Sequence, residues 1–151
     1  MNRILQTLKI LTIYFDTCCY VRPQDDQTQP EIEKETLAIS NIVNICRIAG
    51  YSIIGSSAVE TEIKADPNVL SRERSLDFFD WVINGYFVLT AADFQRAGEF
   101  MTRGLRAKDS LHLAAAEAVG ADFLITVDKK FERIAAKNNM SSVKVINPVD
   151  F

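Results

Sequence analysis

Four acidic segments punctuate the chain at places where a side chain can do chemistry. Asp16 closes the apolar run "LTIYF", and Asp128 closes "DFLITV". Glu60 and Glu62 lie in "SSAVETEIK", and Asp109 lies near the start of the alanine-rich "AKDSLHLAAAEA". Carboxylates held within about 4–6 Å of one another resist ionising unless a cation compensates them. Hard divalent cations take oxygen ligands and keep several waters. With no His or Cys at ligand spacing, these acids point to one or two Mg²⁺ or Mn²⁺ ions and away from zinc. Such ions activate water, orient a phosphodiester and stabilise its leaving oxygen. The expected reaction class is phosphodiester hydrolysis.

The elements that must bring the acids together alternate between strand and helix. "KILTIYF", "YSIIG", "YFVLT", "DFLIT" and "VKVIN" read as strands. After the polar loop "VRPQDDQTQP", a helix carries Ile39, Ile42, Val43, Cys46 and Ala49 at helical spacing and stops at Gly50. "SSAVETEIKAD" forms the next, capped by Ser56 or Ser57. A helix over residues 69–83 carries Leu76, Phe79 and Val82 and ends at Gly85. "AADFQRAGEFMTRG" turns Phe94, Ala97 and Met101 inward, "AKDSLHLAAAEAVG" follows, and residues 130–137 make a last helix. Repeated strand–helix–strand units with continuous apolar strands imply a parallel sheet of about five strands covered on both faces. The expectation is one three-layer α/β/α domain over residues 1–151, with residues 1–9 or so as an extension.

In open parallel sheets, ligands bind at the carboxyl ends of the strands, where strand order reverses. Connection direction alone puts all four acidic segments on that rim. Each acid also has a plainer reading. An Asp at a strand end caps or turns, Glu60 and Glu62 suit the first turns of a helix, and Asp128 suits the start of the last one. The coincidence of four at one edge carries the functional reading. His112 follows Asp109 by three positions and shares its helix face. It could touch phosphate or move a proton, but a polar slot in the helix layer is the simpler reading. Arg103, Arg106, Lys108 and Lys129 flank the acids and suit a nucleic-acid backbone, or else plain solvated surface. Trp81, Phe78 and Phe79 read as core.

Bulk properties narrow the classes further. With 17 basic and 20 acidic residues, the net charge of −3 argues against coating nucleic acid by basicity alone. The 48% hydrophobic and 25% charged fractions are those of a globular domain. The apolar run near the N-terminus is too short and interrupted for a membrane span, and no signal peptide is expected. Three cysteines without CxxC spacing fit a reducing cytoplasm.

"YFDTCC", "GSSAVETEI" and "AKDSLHLAAAEAVGADFLITVDKKF" together resemble the PIN domain, above all the toxin ribonucleases of bacterial and archaeal VapBC toxin–antitoxin systems. The resemblance implies a sheet of order 3-2-1-4-5 and Mg²⁺- or Mn²⁺-dependent cleavage of single-stranded RNA. By position it assigns Asp16, Glu62, Asp109 and Asp128 to metal and catalysis. Thr17, Thr126, Glu60 and His112 become candidate lining residues. An antitoxin partner and a homodimer are implied as well. Many members read Asp-Thr-Asn where this chain reads Asp16-Thr17-Cys18, and a thiol cannot replace both the donor and the acceptor of an amide. Cys18 is expected to pack near the site without ligating. The alternative is a PIN-fold RNA- or protein-binding module that does not cut. A phospho-acceptor receiver domain expects adjacent acids after its first strand and an Asp ending its third, which here ends in Thr90.

Overall fold

Thr12–Phe15 (β1) joins two β-branched residues to two aromatic ones and is buried over its last three positions, as a strand with neighbours on both sides requires. In the computed structural model, which describes residues 9–151, β1 runs parallel to Ser52–Ser56 (β2) on one side and Phe123–Ile125 (β4) on the other. Gly85–Phe87 (β3) and Lys144–Ile146 (β5) complete the edges. The sheet is entirely parallel, with order β3-β2-β1-β4-β5. The order reverses at β1, which makes the carboxyl end of β1 and β4 the switch point. Most of the expected N-terminal extension lies outside the described residues.

Seven helices flank the sheet among the described residues and give the three-layer arrangement: Thr17–Val21 (α1), Pro30–Ala49 (α2), Ser57–Lys64 (α3), Val69–Val82 (α4), Ala91–Thr102 (α5), Ala107–Ala118 (α6) and Lys129–Asn138 (α7). α2 buries Ile39, Ile42, Val43 and Cys46 and ends where Gly50 takes φ +72°, a left-handed turn that favours glycine. Ile13, Ile53, Phe100, Leu113, Leu124 and Phe131 belong to one buried cluster. Each such side chain contributes about 1.5–3 kcal/mol relative to exposure.

Several local expectations are corrected. The residues between β1 and the polar loop form the short α1, and the loop itself opens with a 3-10 turn at Arg22–Gln24. α4 stops at Val82, and Gly85 begins β3, because a Cβ there would sit 2.5 Å from Ile54 Cδ1. The third strand is the three residues Gly85–Phe87, shorter than "YFVLT". α5 buries Asp93, Ala97 and Phe100, leaving Phe94 and Met101 outside at 57% and 49% exposure. Asp93 sets that rotation: its Oδ2 accepts from the Thr90 N–H at 2.7 Å and the Thr90 hydroxyl at 2.9 Å, which turns it inward. Ala49 is exposed. Trp81, expected in the core, is 58% exposed and carries the Arg47 guanidinium 3.6 Å above its ring.

Candidate active site

The carboxyl ends of β1 and β4 open into a cleft of about 570 Å³. Four elements deliver its acids. Asp16 leaves β1 with its N–H donating to Ile125 O at 2.9 Å, which pins it beside β4. Glu62 sits one and a half turns into α3, whose start is fixed by Ser56 Oγ accepting the Val59 N–H at 3.3 Å. Asp109 lies in the first turn of α6. Asp128 caps α7, its Oδ1 accepting the Lys130 and Phe131 N–H groups at 3.0 and 3.1 Å. The capping reading and the site reading of Asp128 both hold, because its other oxygen faces Arg106.

Two basic side chains tie the acids into pairs. His112 is 1% exposed, and its Nε2 stands 2.6 Å from Glu62 Oε1 and 3.4 Å from Asp16 Oδ1. Arg106 Nε donates to Asp109 Oδ2 at 3.0 Å, and its Nη2 donates to Asp128 Oδ2. Asp16 Oδ2 also accepts the Thr126 hydroxyl at 2.8 Å and the Cys18 thiol at 3.3 Å. Thr126 is buried behind Asp16, and Thr17 reaches His112 Nε2 at 3.3 Å.

A buried hydrogen-bond chain backs His112. Its Nδ1 lies 2.8 Å from Tyr14 OH, which lies 2.7 Å from Ser56 Oγ. Burial pushes the Tyr14 phenol far above its ordinary range, so it stays protonated and able to donate. In the neutral imidazole one proton assignment serves every member: Ser56 gives to Tyr14, Tyr14 to Nδ1, and Nε2–H to Glu62.

The environments push the acids apart. Burial raises Asp109, against the pull of Arg106 and with the charges of Asp16 and Asp128 adding to it. Burial also works to raise Glu62, but His112 and then Lys108 outweigh it and the carboxyl is held below its usual range. Asp128 is likewise lowered, by helix N–H groups and Arg106 acting against burial. For His112, burial favours the neutral ring, yet the carboxylates of Asp16 and Glu62 prevail and its pKa rises.

A family profile for the PIN domain matches residues 13–137. This chain belongs to the PIN domain family. PIN domains are in general nucleases. No curated protein matches the chain. Eleven chains of solved structures do. One is from VapBC2 of Rickettsia felis, crystallised with a DNA fragment from their promoter. The likeness has a TM-score of 0.58 at 18% identity and spans 89% of this chain and 98% of that one. At that identity it speaks for the fold.

This PIN domain brings most of the residues singled out in the sequence to one place. Asp16, Glu62, Asp109 and Asp128 line the cleft with Thr17, Cys18, Arg106, Lys108 and His112. Glu60 does not: two residues from Glu62, it leaves the helix about 200° around, where Lys64 and Tyr86 hold it. Lys129 turns away to pair with Glu31 at 3.2 Å, and Arg103 ends α5 outside the cleft wall. His112 does occupy a buried polar slot of the helix layer, and from it bridges two of the acids. Tyr14 has no place in the sequence expectations, and Ser56 stands there only as a helix cap. The one signal for Tyr14 is that it stands two residues before Asp16 on an alternating strand, hence on the same face.

The all-oxygen donor set of the four acids suits Mg²⁺ or Mn²⁺. Among the described residues, no three carboxylate, imidazole or thiol groups converge closely enough to ligate one ion with the side chains as they stand. The reason is visible: Arg106 and His112 each occupy the space between two acids.

Proposed function

We propose that this PIN domain is a metal-dependent endoribonuclease that hydrolyses phosphodiester bonds of single-stranded RNA, and that it is the toxin of a VapBC-type pair. The observation that carries this reading is the arrival of four carboxylates, from four separate elements, in one cleft at the switch point. Asp16, Glu62, Asp109 and Asp128 would hold one or two Mg²⁺ or Mn²⁺ ions, which supply activation of water and charge neutralisation at phosphorus. Thr126 and Cys18 orient Asp16, and His112 orients Glu62. Arg106 must release Asp109 and Asp128 to admit an ion, and its guanidinium is then placed to meet a phosphate, beside Lys108. An antitoxin partner follows from the likeness to VapBC2, and Leu37, Ile45, Ile48 and Trp81, exposed on α2 and α4, suit protein contact, including a homodimer. A cytoplasmic place belongs to the same proposal. Among the described residues no helix is long and apolar enough to cross a membrane.

Labelled single-stranded RNA with Mn²⁺ or Mg²⁺ is the test, beside EDTA and the variants Asp16→Asn and Asp109→Asn. Metal-dependent cutting should fall by more than the ~10–100-fold typical of losing an outer-shell partner. Full activity in both variants would overturn the site. One observation favours a second reading, a PIN module that binds without cutting: Cys18 stands where an amide is usual. RNA binding with no cutting in any divalent metal would establish it.

A further inference from the structure

Beside the cleft lies a second cavity, of about 290 Å³, which Glu62 and Lys108 also line. The two side chains are common to both linings, so the cavities adjoin along one wall. Ala58 of α3, Leu89 beyond β3 and Leu111 of α6 form its apolar floor, and Phe94 of α5 its outer wall. Leu89 and Leu111 pack on the core, whereas Phe94 is 57% exposed and stands clear of it. The volume is at the low end of small-molecule pockets, about 300–1,000 Å³, which fits one ring system and not a length of peptide. Lys108 is exposed at the junction, close enough to Glu62 to stabilise its charge. Thr61 offers a hydroxyl at the rim, while Ser57 Oγ is already taken by the Leu89 N–H at 3.0 Å. Proteins that hold single strands combine a cation for the backbone with an aromatic platform for the base. Here both lie one step from the acids.

We propose that this cavity binds a nucleobase of the RNA strand next to the scissile phosphate, stacked on Phe94, with Lys108 on the phosphate between them. The proposal rests on the ribonuclease reading of the cleft. Stacking tolerates any base, so the subsite sets strand register more than sequence.

The test separates the two claims by measuring binding apart from cutting. Fluorescein-labelled single-stranded RNA is titrated by anisotropy into Asp16→Asn, alone and combined with Phe94→Ala, Phe94→Leu or Phe94→Tyr. Loss of the ring in the Ala and Leu variants should weaken binding about 5- to 100-fold, the range of one base–aromatic stack, and Tyr should preserve it. Circular dichroism should show unchanged melting, because Phe94 contributes little to the core. A scan of single abasic nucleotides should find one position whose loss weakens the parent by the same factor and the Phe94→Ala protein no further. Equal RNA affinity with and without the ring, when the chain with Asp16 intact cuts RNA, would overturn the subsite and leave the cavity to a protein partner. A chain that neither binds nor cuts RNA would overturn the ribonuclease reading and this proposal with it.

Discussion

His112 is the chain's single histidine, and its ring is bracketed by carboxylates on one nitrogen and a phenol on the other. Its pKa is raised and that of Glu62 lowered, so the pair is fully charged between about pH 4.5 and 6.5, the two unfolded values. Its stabilisation is lost above that window as His112 loses its proton, and below it as Glu62 gains one. In metal-free protein, His112→Gln should therefore cost about 2–3 kcal/mol at pH 6 and clearly less at pH 9, read by urea unfolding at both pH values. Tyr14→Phe, which leaves Ser56 and Nδ1 without the shared hydroxyl, should cost about 1 kcal/mol or more. Arg106 has the opposite sign toward metal. Its side chain is more than half exposed, so its ion pairs are worth at most about 1 kcal/mol, and Arg106→Gln should tighten Mn²⁺ binding two- to fivefold by calorimetry. Unchanged affinity would mean that the guanidinium does not compete for the acids.

At the scale of elements, capping chemistry decides more than hydrophobic spacing does. In α5, positions 94, 97 and 101 fit an apolar stripe as well as 93, 97 and 100 do, and only the Thr90–Asp93 box separates the two. Asp93→Ala should destabilise the fold by about 1 kcal/mol or a little more, measured by thermal unfolding, and leave metal affinity untouched. The same helix explains what could be read in advance and what could not. Strand composition and the alternation of strands with helices were legible, as were the positions of Asp16, Glu62, Asp109 and Asp128 relative to strand ends and helix starts. The five residues of α1 were not, being too short to show a period and too short to be helical without tertiary support. Trp81 was misplaced because an apolar run marks a helix without telling which face an arginine stem will cover. The His112 bridge required knowing that α3 and α6 pack side by side behind β1, which no local pattern contains.

For the whole molecule, the four acids are a cost that the fold meets with its own cations and that a divalent ion would meet better. Saturating Mn²⁺, at about a hundred times its Kd, should raise stability by roughly 2.7 kcal/mol, or about 5–10 °C in Tm for a chain of this size. EDTA should reverse the shift, and Asp16→Asn should abolish it. The absence of any shift in the native chain would argue against resident metal chemistry at this cleft.

The central place of β1 has a consequence for synthesis. Asp16 is made early, yet the strand that locks it, with Thr126 and Ile125 as its partners, is more than a hundred residues downstream. At ~5–20 residues per second, a ribosome spends roughly 6–20 s between them. Over that interval the emerging polypeptide carries half a cleft and no second pair of acids. On the proposed ribonuclease reading, the cleft cannot assemble, and the transcript being read is spared, until Asp109 and Asp128 have left the exit tunnel.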